Sequence, residues 1–95
     1  MEFKSQVEHS CQQVLNSASP IRPVLVAAIS RRRANLQAII KELNEGSVSP
    51  AKLDALLSEE VNKVANVLIE QSNLSQFEAK QKSEKAIFTL AKRLM

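Results

Sequence analysis

The chain has no tryptophan and no tyrosine, and only one glycine, one cysteine, one histidine and three prolines among 95 residues. Each shortage excludes something. A single glycine rules out a Walker loop and a dinucleotide-binding fingerprint, which both need several. Asp54, Glu59 and Glu60 lack the glycine-bearing loop of an EF-hand. A lone Cys11 cannot form an internal disulfide. It fits a reducing, cytoplasmic setting, where a free cysteine acts as a small hydrophobe. No Cys or His cluster has zinc-ligand spacing. His9 and Cys11 are two residues apart and diverge by about 200° on a helix, so no Cys–His nucleophile pair forms there. The longest apolar run, Val24 to Ile29, falls far short of the roughly 20 residues that cross a bilayer. The polar opening MEFKSQVEHS is not a secretory signal. No reactive constellation remains. The expectation is a non-enzymatic, cytoplasmic protein with no cofactor, no metal, no membrane contact and no small-molecule substrate.

What is present is aliphatic and helical. Hydrophobic residues make up 44% of the chain, mostly Leu, Ala, Val and Ile. Their spacing predicts an all-α single domain over residues 1–95, a compact bundle of four helices at about 2–16, 21–44, 50–71 and 76–94. Phe3, Val7, Cys11, Val14 and Ala18 form a narrow stripe on the first helix, close to a coiled-coil seam. Leu25, Ile29, Leu36, Ile39, Ile40 and Leu43 mark the second. Val24, Val26 and Ala28 add apolar surface around its first turns, which predicts that this end is the most buried element. Pro20 and Pro23 fit because they lie before or within that helix's first turn. Gly46 stands where a helix end takes a left-handed residue. Ser49-Pro50 reads as an N-cap followed by proline at the first helical position, with Val48 and Leu53 as a hydrophobic staple. Leu53, Leu57, Val61, Val64 and Leu68 form the third stripe. Ser75-Gln-Phe-Glu78 reads as a capping box. The last helix then runs through Ile87, Leu90, Ala91 and Leu94. A core this small can also be completed by a second copy, so an intertwined dimer is the alternative.

Three departures from the pattern matter, because functional sites tend to lie where local rules fail. Arg31, Arg32 and Arg33 cannot share one face of a helix. Arg31 falls opposite the core, Arg33 at the stripe's edge and Arg32 inside the stripe. Glu60 also falls inside the apolar stripe of its own helix. A buried charge needs a partner, so Arg32 and Glu60 are expected to form a buried ion pair, within one chain or across a dimer. The third departure is Glu78 to Lys85, EAKQKSEK, which has no large hydrophobe and is expected to stand off the core.

Two functional readings follow. In the first, the chain is a helical protein-interaction module, an adaptor, chaperone-like factor or regulator with a protein partner or a second copy of itself. The candidate interface is Phe3, Val7, Cys11 and Val14 with the terminal Leu94. In the second, it is a nucleic-acid-binding regulator. Residues 20–45 hold Arg22, Arg31, Arg32, Arg33 and Lys41 against Glu42 and Glu45, and residues 74–95 hold Lys80, Lys82, Lys85, Lys92 and Arg93 against Glu78 and Glu84. The candidate basic surface is Arg31, Arg33, Lys80, Lys82, Lys85, Lys92 and Arg93. Specific groove reading is disfavoured. The segment Asn73 to Ala79 resembles only the opening of a helix-turn-helix, and no glycine turn follows it. The helix after Ser49 carries Asp54, Glu59 and Glu60, the wrong sign for DNA. Phe3 and Phe77 stand at or beside the apolar stripes, which leaves little for base stacking.

Overall fold

Local chemistry sets the helix ends. Ser49 sits in extended conformation, and its Oγ accepts a bond from the Lys52 N–H at 3.2 Å, with Pro50 next in line. Val48 and Leu53 are both buried beside that cap. Ser75 Oγ accepts from the Glu78 N–H at 3.1 Å. Gly46 takes a left-handed φ of +78°. Around it the Gly46 N–H donates to Leu43 O and the Ser47 N–H to Glu42 O, the paired bonds of a Schellman motif. Asn73, with φ 54°, closes the next helix in the same left-handed region without a glycine.

The computed structural model describes residues 3–15 and 19–94. Glu2, Asn16 and Ala18, which the sequence pattern places at helix ends or on the first stripe, lie outside the described residues. All regular structure among the described residues is helical: α1 (Phe3–Gln12), α2 (Ile21–Arg31), α3 (Arg33–Asn44), α4 (Pro50–Ser72) and α5 (Gln76–Leu94).

The all-α expectation holds, but the described residues form five helices and not four. The expected helix over 21–44 breaks at Arg32, whose φ of −94° and ψ of 13° lie outside the helical region. Its N–H donates to Ile29 O, a tightened three-residue bond, and its own carbonyl accepts from Leu36. No proline or glycine lies at this break. The side chain of Arg32 is tied to Glu60 on α4, so the interruption coincides with a tertiary contact. α1 is shorter than the stripe predicted. Bonds from Gln13 to Ser10 and from Val14 to Cys11 tighten its end, and Leu15, not Val14, is the buried residue there.

α4 is the organising element. Its 23 residues span about 34 Å at ~1.5 Å per residue, close to the molecule's 38 Å longest dimension. It packs on α5, α2 and α3, while α1 packs on α2 and α5. Leu25, Ile29, Leu57, Leu68, Ile87 and Leu90 are the largest side chains fully sealed between them.

Two expectations about burial are corrected. The stretch from Glu78 to Lys85 does not stand off the core. Ala79 and Ser83 are fully buried, and Ala86 continues the row. Small side chains let helix backbones approach closely, so a segment without large hydrophobes can still be packed tightly. The start of α2, by contrast, is not the most buried element. Leu25, Ala28 and Ile29 are buried, but Val24 and Val26 are half-buried and Pro23 and Ala27 are exposed.

Candidate functional site

The apolar excess on α2 that the core does not use forms the floor of an open groove against α1. Phe3, Pro23, Val26 and Ala27 supply carbon surface, and Ser30 adds a hydroxyl. Lys4, Arg22 and Arg33 stand around it, with Glu8 as its one acid among the described residues. The groove's volume is about 730 Å³. From Arg22 to Arg33 its α2–α3 wall covers three turns, about 16 Å at ~1.5 Å per residue. The Arg33 guanidinium lies over the Phe3 ring at 5.4 Å from its centroid, within cation–π range. That contact fixes the cation at the mouth of the groove.

Position along the chain explains the site. α1's buried stripe of Phe3, Val7, Ser10 and Cys11 faces the core, and Lys4 and Glu8 follow it by one residue, on the flank. α2 is apolar over more than half of its circumference, so one apolar strip meets the core and another is left over. Sequence reasoning singled out Phe3 and Arg33 but not Lys4, Glu8, Arg22, Pro23, Val26, Ala27 or Ser30. The usable signal was Val26, apolar beyond the stripe through Leu25 and Ile29, with Arg22 one turn before it.

The expected partner interface is corrected. Phe3, Val7 and Cys11 are buried within the monomer, and Val14 and Leu94 are half-buried. The seam is consumed by packing of α1 on α2 and α5. Of these residues, Phe3 lines the α1–α2 groove and Leu94 lines a separate open groove beside Ile40 and Lys41.

The seven candidate basic residues are not brought onto one site. Arg33 lines the α1–α2 groove, and Arg31 is exposed at the end of α2. Lys80 and Lys85 line a separate groove on α5 with Phe77, Gln81 and Glu84. Lys82 is half-buried and Lys92 exposed. Arg93 Nε donates to Gln6 Oε1 at 2.7 Å, which ties the end of α5 to α1. Phe77, expected at a stripe, is 75% exposed. It lies on the outer side of α5, because the buried row runs through Ala79, Ser83 and Ala86.

Arg32 and Glu60 meet within one chain. Arg32 Nε donates to Glu60 Oε1 at 2.8 Å, and Nη2 donates to Oε2 at 3.1 Å, a two-pronged pair. Lys63 Nζ stands 3.8 Å from Oε2. The Glu60 side chain is 4% exposed and that of Arg32 27%. The hydrogen bonds to Glu60 hold the Arg32 guanidinium pKa above its ordinary value. This pair locks the α2–α3 junction to α4, one residue before Arg33 enters the groove.

Burial pushes the Cys11 thiol up to about 12, Arg22 acting against that shift and Glu8 with it. A thiol so held is a poor nucleophile. Ser10 Oγ and Ser83 Oγ are buried without a hydrogen-bond partner. Among the described residues no three His, Cys, Asp or Glu side chains gather as a metal site, and no helix is long and apolar enough to cross a membrane. The chain matches no protein-family model, no curated protein and no solved structure.

Proposed function

We propose that this chain is a non-enzymatic helical interaction module that takes a protein segment into the α1–α2 groove. The observation that carries this reading is the apolar strip of α2, Pro23, Val26 and Ala27, which the described residues leave open at the edge of the core. A concave, mostly apolar trough with a few charged side chains at its edge has the make-up of a binding site. An open trough about three helical turns long suits a helix laid along it. A small molecule would stay half-wet there. The seam of α1 is spent inside the monomer, so the groove replaces it as the interface.

A photoreactive benzoylphenylalanine at Ala27, introduced into the natural host cell, tests this. It is expected to give discrete adducts that protease removes and nuclease leaves intact. The same group at Ala55, on the exposed side of α4, is expected to give none. Nuclease-sensitive adducts at Ala27, or none at either position, would contradict the reading.

One observation favours a second reading, nucleic-acid binding. The exposed Phe77 ring lies beside Lys80 and Lys85, and aromatics interleaved with lysines are the chemistry of single-strand binding. Retention on heparin that drops with rising salt and weakens on Phe77→Ala and Lys80→Ala supports it. Retention unaffected by both substitutions removes it.

A further inference from the structure

The groove's floor and rim point to a definite partner chemistry, an inference that rests on the proposed docking of a protein segment there. We infer that the occupant is an amphipathic helix with aliphatic residues on one face and acidic residues flanking them. Among the described residues three cations, Lys4, Arg22 and Arg33, surround the floor against one acid, Glu8. A segment with carboxylates at its edges would meet this rim with matched charge, and a basic segment would meet it with repulsion. Arg33 lies over the Phe3 ring at the groove's edge, a contact that favours this placement of its charge and lowers the ordering cost of recruiting it. The walls also differ in charge, the α1 side balanced and the α2–α3 side positive. On α1 Lys4 and Glu8 lie one turn apart, while on the α2–α3 wall Arg22 and Arg33 stand at opposite ends of the trough. A bound helix carrying acids at both its ends would reach Arg22 at one and Arg33 at the other.

Two synthetic three-turn helical peptides test the inference. They share a leucine face, and one carries glutamates on its flanks where the other carries lysines. Titration against the whole chain at low salt is expected to show the glutamate peptide binding about tenfold or more tightly than its counterpart, with the gap closing as salt rises. The preference is expected to shrink for Lys4→Glu and to invert for Lys4→Glu combined with Arg22→Glu. Lys4 is an exposed side chain, so its single variant keeps the test standing if Arg22→Glu weakens the fold. Ala27→Trp fills the trough and is expected to abolish binding. Equal binding of the two peptides, blocked by Ala27→Trp, overturns the acidic partner and leaves the groove as a docking site. Binding of either peptide that ignores Ala27→Trp overturns both. Dodecanoate, an anionic vesicle or poly-uridine showing the charge-reversal pattern while the glutamate peptide does not bind would also overturn the inference.

Discussion

Cutting the Arg32–Glu60 pair from its two ends should cost unequal amounts, and the inequality follows from exposure. Arg32→Met strands a carboxylate whose side chain is 4% exposed, with Lys63 Nζ at 3.8 Å as its nearest remaining cation. Leaving a buried charge without its partner costs about 3 kcal/mol, less whatever Lys63 recovers by moving closer. Glu60→Met strands a guanidinium that is 27% exposed and can swing into water on its flexible stem, at about 1 kcal/mol. Replacing both with methionine removes both desolvation penalties and should end within about 1 kcal/mol of the parent. The two single losses then exceed the double loss by about 3 kcal/mol, which is the coupling a mutant cycle reads. Urea unfolding followed by far-UV circular dichroism supplies all four stabilities. A Lys63→Met background should widen the Arg32→Met loss, because it removes the substitute cation. Strict additivity would refute the reasoning, and so would a larger cost for Glu60→Met than for Arg32→Met.

Three further outcomes follow from the same geometry. Cys11 has a folded pKa near 12, so between the pKa of the unfolded thiol, about 8.5, and 12 the unfolded chain binds fewer protons than the folded one. Stability should fall as pH rises through that window, by up to ~1.4 kcal/mol per pH unit from this group; Cys11→Ala should flatten the slope, and a thiol reagent should react only on unfolding. Gly46→Ala should cost about 1 kcal/mol in thermal or urea unfolding, because a φ of +78° strains any Cβ even in open space, and Gly46→Asn should cost less. Ser83→Ala should be neutral or stabilising by about 1 kcal/mol, since it removes a buried hydroxyl without a partner and favours the helix; a clear loss in urea unfolding would mean that the hydroxyl is bonded after all.

How much of this was legible in the sequence depended on how local the cause was. The starts at Ser49 and Ser75 and the left-handed Gly46 involve bonds spanning three to five residues, so residue identity alone marks them. Asn73 was missed because asparagine takes the left-handed conformation only in some contexts. The break at Arg32 has no local marker, since nothing near it stops a helix. It coincides with a side-chain bond to a residue 28 positions away. The wheel positions of Arg32 and Glu60 nevertheless pointed at each other, because two charges inside apolar stripes have few other solutions. Ala79 and Ser83 were misjudged because periodicity of large hydrophobes does not register a face built from small ones. The groove was the least legible feature. A surplus of apolar residues on α2 can be read from the chain, but whether α1 covers it depends on where Lys4 and Glu8 fall once Phe3, Val7 and Cys11 are committed to the core.

The most direct test of the groove as the working surface is an amide ¹⁵N–¹H correlation titration of the chain with the glutamate-flanked peptide. The account predicts that shifts concentrate at Lys4, Glu8, Arg22, Val26, Ala27, Ser30 and Arg33, with Ala55 and Glu59 on α4 unmoved. Shifts gathered instead around Phe77, Lys80 and Lys85, or a spectrum that does not change at saturating peptide, would contradict it.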